Sequence, residues 1–142
     1  MARKRIASSV LIDTSALLAL ANPRDQYHAR AVAIARRTLE SGSRFVGTVL
    51  ILAEFQAHFL YLMGPARARA IVTDLMNDPM YEWRDVSAEL VAASVSVWLE
   101  RFRDQRFSLA DAVSFEVMSQ DGLEQAFAFD RHFRTAGFGM LA

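Results

Sequence analysis

The 142-residue sequence has no cysteine, a single lysine, three prolines, six glycines and no net charge. Without cysteine there is no disulfide framework and no thiolate metal site, which fits a reducing cytoplasm. Proline, glycine and serine form no tracts, and no repeat or low-complexity segment interrupts a chain that is 53% hydrophobic. Little room is left for disorder, and residues 1–142 are expected to form one domain that buries about two-thirds of its unfolded surface. No apolar run reaches the roughly 20 residues of a bilayer span. Residues 49–63 come nearest, and they carry Glu54, Gln56 and His58. Arg3, Lys4 and Arg5 before an apolar stretch have the outline of a secretory signal, but Asp13 interrupts it. The expectation is a soluble, cytoplasmic protein without a membrane partner.

Sixteen basic residues balance sixteen acidic ones, so the chain as a whole does not attract nucleic acid. Its arginines gather as Arg30, Arg36 and Arg37, as Arg67 and Arg69, and as Arg101, Arg103 and Arg106. These groups read as solvated helix faces, with phosphate contact as the other reading.

The pattern of what remains is that of alternating strands and helices. Residues 10–12 read as a buried strand that ends on Asp13, and residues 15–21 as a short helix stopped by Asn22 and Pro23. Asp25 is expected to cap a helix to residue 41 with Val32, Ala35 and Leu39 turned inward. A minimal strand at 44–46 leads to Thr48, placed to cap a helix over 49–63 that is apolar nearly all round and so expected to be buried. Gly64-Pro65 separates it from a helix over 65–76. Residues 81–86 read as a strand near an edge, and Ser87 caps a helix with Val91, Val95, Trp98 and Phe102 inward. Ser108 caps another over 109–121, residues 126–129 form a strand ending on Asp130, and 137–139 supply a short edge strand. Strands separated by helices predict an α/β three-layer sandwich with a mostly parallel sheet.

In such sheets ligands gather beyond the carboxyl ends of the strands, where Asp13 and Asp130 fall. Glu54, early in the helix after the second strand, and Asp111, in the first turn after Ser108, are placed to lean toward the same rim. Each acid also has a local explanation: Asp13 as a helix cap, Asp111 as a first-turn acid, Asp130 as a turn former. Glu54 is the hardest to explain locally, since a carboxylate on an apolar helix costs several kcal/mol unless it meets a cation or water. Four carboxylates together repel one another unless a cation neutralises them, and hard Mg²⁺ or Mn²⁺ suits oxygen ligands. Metal-dependent phosphoryl chemistry follows. His28, His58 and His132 have no zinc-type spacing; His58 reads as a helix-packing residue and His132 as part of the turn beside Asp130.

The runs Leu11-Ile12-Asp13-Thr14-Ser15-Ala16-Leu17, Leu52-Ala53-Glu54, Ser108-Leu109-Ala110-Asp111-Ala112 and Phe129-Asp130-Arg131-His132-Phe133 resemble the PIN-domain nucleases, particularly VapC-type toxins of toxin–antitoxin modules. The resemblance spans nearly the whole chain. It implies a five-stranded parallel sheet, Mg²⁺ or Mn²⁺, RNA cleavage, a homodimer, and an antitoxin that occludes the site. Carried over, Asp13, Glu54 and Asp111 are the core metal-site acids and Asp130 a more peripheral fourth. Ser15 would order Asp13 or a metal-bound water, Thr48 would support the Glu54 helix, and Asp104 would support the site or anchor its loop. Two alternatives stay open: a PIN-like binding domain that no longer cleaves, and a phosphatase or phosphoacceptor domain. The latter needs a lysine beside its acids, and Lys4 is poorly placed.

Overall fold

Residues 8–141 are described in a computed structural model, and their five strands all run parallel in the order β3-β2-β1-β4-β5. The chain runs β1 (Ser9–Ile12), α1 (Thr14–Ala21), α2 (His28–Glu40), β2 (Arg44–Thr48), α3 (Val49–Met63), α4 (Pro65–Asn77), β3 (Tyr81–Arg84) and α5 (Ala88–Ser94). It continues through a π-helix (Val95–Leu99), α6 (Leu109–Asp121), β4 (Gln125–Phe127), α7 (His132–Thr135) and β5 (Gly139–Met140). Parallel neighbours require crossovers, and the helices that make them cover both faces.

Alternation along the strands divides the core. Val10, Ile12, Phe45 and Phe127 point to one face, where α1 to α4 contribute Leu17, Ile34, Ile51, Phe55 and Ala68. Leu11, Ala126 and Ala128 point to the other, against Trp98, Phe115, Met118 and Phe133 from the π-helix, α6 and α7. The three-layer α/β sandwich of the sequence reading is the observed architecture. β1 lies at the centre of the sheet, so the residue that follows it is held by neighbours on both sides.

Several local expectations change. Asp25 does not cap α2; its carboxylate accepts from the Tyr27 amide at 2.8 Å in a turn, and the helix starts at His28. The buried stripe of α2 is Ala31, Ile34 and Thr38, with Val32, Ala35 and Leu39 on its flank. Val95 is 40% exposed because the π-turn, closed by Glu100 N–H to the Val95 carbonyl at 3.0 Å, inserts a residue and rotates it outward. Ser94 and Trp98 take the inward positions.

α3 is not buried all round. Ile51, Leu52, Phe55 and Phe59 enter the core, whereas Leu60, Leu62 and above all Tyr61, 92% exposed, face outward. The sheet, α1 and α4 cover one side of α3 only. Arg3, Lys4 and Arg5 lie outside the described residues. No helix among the described residues is long and apolar enough to cross a membrane.

Candidate metal centre

β1 and β4 deliver two aspartates to one rim. The Asp13 amide still donates to Phe127 O at 3.0 Å, so the strand pairing continues up to the acid before the chain turns into α1. Asp13 is the N-cap of that helix and is buried. Its Oδ2 accepts from the Ser15 hydroxyl at 2.9 Å and, more weakly, from the Ser15 amide at 3.4 Å. The same hydroxyl accepts from the Phe129 amide at 3.0 Å. Ser15 thus ties the exit of β4 to the carboxylate at the exit of β1.

Asp111 arrives from the start of α6 through a reciprocal cap. Its amide donates to Ser108 Oγ at 3.0 Å, and its Oδ2 accepts from the Ser108 amide at 3.0 Å. His132 Nδ1 lies 2.8 Å from that same Oδ2 and is the donor, since the carboxylate has no proton to give. The imidazole packs edge-on against buried Phe107, centroids 5.4 Å apart, and Phe107 packs in turn on Phe115. Asp130 forms a local turn in which Oδ1 accepts from the His132 amide at 3.0 Å.

In all three aspartates the amide, hydroxyl and imidazole donors of the described residues converge on one oxygen: Oδ2 of Asp13, Oδ2 of Asp111 and Oδ1 of Asp130. One ligand atom each from Asp111, Asp130 and His132 lie within 4.8 Å of one another. The Asp13 carboxyl lies against Asp130 and within electrostatic reach of Asp111. Burial first, then the Asp130 charge and hydrogen bond, and finally Asp111 hold its pKa well above the ordinary value, against the lowering effect of Ser15. Among the described residues no lysine or arginine forms an ion pair with these three acids. Converging carboxylates with no lysine or arginine partner among the described residues fit a hard divalent cation.

The other sequence candidates are placed as follows. Thr48 is buried and caps α3 through Oγ, which accepts from the Ile51 amide at 3.2 Å. Glu54 is half-buried in the second turn of α3 and has no hydrogen bond or ion pair with the three aspartates among the described residues. Asp104 is exposed in the turn that follows the π-helix, away from any partner of its own among the described residues. His132 is the group the sequence reading left in the local turn. Its place two residues after Asp130 was the only available signal, because the contact with Asp111 spans 21 residues.

The family model of the PIN domain matches residues 10–139. The 23S rRNA-specific endonuclease VapC20 of Mycobacterium tuberculosis is 46% identical over 41 residues, 29% of this chain; the match spans only 31% of that relative's length. The crystal structure of Mycobacterium tuberculosis VapC20, described as a sarcin-ricin loop cleaving toxin, superposes with a TM-score of 0.79 at 29% identity, over 91% of this chain and 95% of that one. FitAcB from Neisseria gonorrhoeae shares the fold at TM-score 0.66 and 16% identity, over 94% of this chain and 96% of that one.

Proposed function

The chain belongs to the PIN-domain family, and from that premise we propose that it is a metal-dependent endoribonuclease, the toxin of a toxin–antitoxin pair. The observation that carries this reading is the convergence of Asp13, Asp111 and Asp130 at the carboxyl rim of the sheet, with no lysine or arginine paired to them among the described residues. Asp13, Asp111 and Asp130 hold Mg²⁺ or Mn²⁺, with Glu54 joining from α3. The cation supplies Lewis-acid activation of water and neutralises charge on the scissile phosphate.

The residues themselves do the positioning. Ser15 keeps Asp13 from turning away, Thr48 fixes the first turn of the Glu54 helix, and the Ser108 cap holds Asp111 at the start of α6. Arg30 is exposed, and its guanidinium lies 5.7 Å from the centroid of the Phe129 ring; Phe129 immediately precedes Asp130 in the chain. Arg30 offers a phosphate contact beside the acids.

A toxin of this kind acts in the cytoplasm as a single domain over 1–142 and is silenced by a cognate antitoxin. Exposed Leu60, Tyr61 and Leu62 on α3 support a homodimer, since contiguous apolar surface marks interaction sites. The test is cleavage of ribosomal RNA, the substrate class named for VapC20, with Mg²⁺ or Mn²⁺ and with chelator. Asp13→Asn and Asp111→Asn should each abolish cleavage; unchanged cleavage in both would sink the site.

A further inference from the structure

Asp111 sits in the first turn of α6, and its Oδ2 has two protein donors: the Ser108 amide at 3.0 Å and His132 Nδ1 at 2.8 Å. Two donors occupy the lone pairs of that oxygen, and Oδ1 has no hydrogen bond among the described residues. The Ser108 amide is part of a helix cap and would be satisfied in any PIN-like or unrelated helix start. The His132 contact is different in kind. It crosses from the turn after β4 to the start of α6 and locks the torsion that the cap alone leaves soft.

His132 is itself well held. Its ring packs against Phe107 on one side, and its amide donates to Asp130 Oδ1 at 3.0 Å. One residue therefore sets two carboxylates, Asp130 through its backbone and Asp111 through its ring. With Nδ1 as donor, the side chain, 38% exposed, keeps Nε2 on the far side of the ring from Asp111.

We propose that His132 is a positioning residue: its Nδ1–H pins Asp111 Oδ2 so that Oδ1 alone is presented to the cation. The inference rests on the metal-site reading above, and it makes Asp111 a one-oxygen ligand whose aim depends on a side chain in another element. Groups that orient a ligand in this way are worth about 10- to 100-fold in metal affinity.

The side-chain amides of asparagine and glutamine separate the two ring nitrogens. Asparagine places its N–H₂ near the position of Nδ1, glutamine near that of Nε2. Mn²⁺ binding to the full chain, without RNA, is measured by the loss of the free-ion electron paramagnetic resonance signal, beside a melting curve in chelator to confirm folding. His132→Asn is expected to hold Mn²⁺ within about twofold of the natural protein, while His132→Gln and His132→Ala weaken it about tenfold or more. Retention in His132→Gln with loss in His132→Asn would make Nε2 a direct ligand and overturn the proposal. So would any result in which His132→Asn binds no better than His132→Ala. Failure of the natural protein to bind Mn²⁺ strikes the metal-site reading itself, a separate outcome.

Discussion

Asp13→Asn should stabilise the metal-free protein. Asp13 is only 3% exposed, and its carboxyl faces Asp130 with Asp111 beyond, while Ser15 donates to it. An asparagine keeps an oxygen for Ser15 and the helix cap, for which the two residues are equally good. Its amide also donates toward Asp130 where a second carboxylate repels. Removing one poorly compensated buried charge is worth about 1–3 kcal/mol, or roughly 3–10 °C in melting temperature for a chain of this size. The pH dependence has a definite sign. Because the folded state holds the Asp13 proton more tightly than the unfolded chain, stability is lost as pH rises from the ordinary value of 3.8 through the raised folded value. The advantage of Asp13→Asn should therefore be complete above that window and vanish near and below pH 3.8. Thermal melts in chelator across this range test it, and adding Mn²⁺ should raise the natural protein more than the variant by mass action. A variant that melts at or below the natural protein at neutral pH in chelator would refute the burial argument.

Ser15→Ala removes a donor to Asp13 and orphans the Phe129 amide; a loss of about 1–3 kcal/mol is expected, and an unchanged melting temperature would count against Ser15 as the clip between strands. Gly47→Ala would place a methyl 2.5 Å from the Trp83 ring, which is pinned by its Nε1–H to Leu75 O at 3.0 Å and stacked on Tyr81. Overpacking of that kind costs about 1–3 kcal/mol, measurable by urea unfolding, with loosening of β3 as the first consequence. Arg30→Ala should weaken RNA binding and lower the slope of log affinity against log salt by about 0.7–1; an unaltered slope would remove Arg30 from the phosphate path.

The layer order was legible because the strand cores are short, β-branched or aromatic, and punctuated by capping residues that serve as predicted. Thr48, Ser87 and Ser108 each accept from the amide three residues on. Legibility failed where spacing along the chain does not decide orientation. The π-turn at Val95 changes which residues face inward without changing their composition. The apolar circumference of α3 could not reveal that helices and sheet would cover one side only. Asp13, Asp111 and Asp130 were recognisable as acids at element starts and ends. The role of His132 was not, because its partner is fixed by how α6 docks against the turn after β4.

The local explanations of the acids are compatible with the shared one. Asp13 is a helix cap, Asp111 closes a capping box and Asp130 forms a turn, each as its local sequence suggests. Each of these devices consumes a single oxygen. A carboxylate tied by one oxygen keeps only part of its torsional range, so the cap that satisfies the backbone also biases the remaining oxygen, and at Asp111 the His132 ring adds a second restraint. Glu54 lies within the helix, where no end of the backbone asks for a cap, and it has no such tie among the described residues. On the metal-site reading proposed above, the three aspartates would form the preset part of the centre, and Glu54 would be an adjustable part drawn in by the cation's charge.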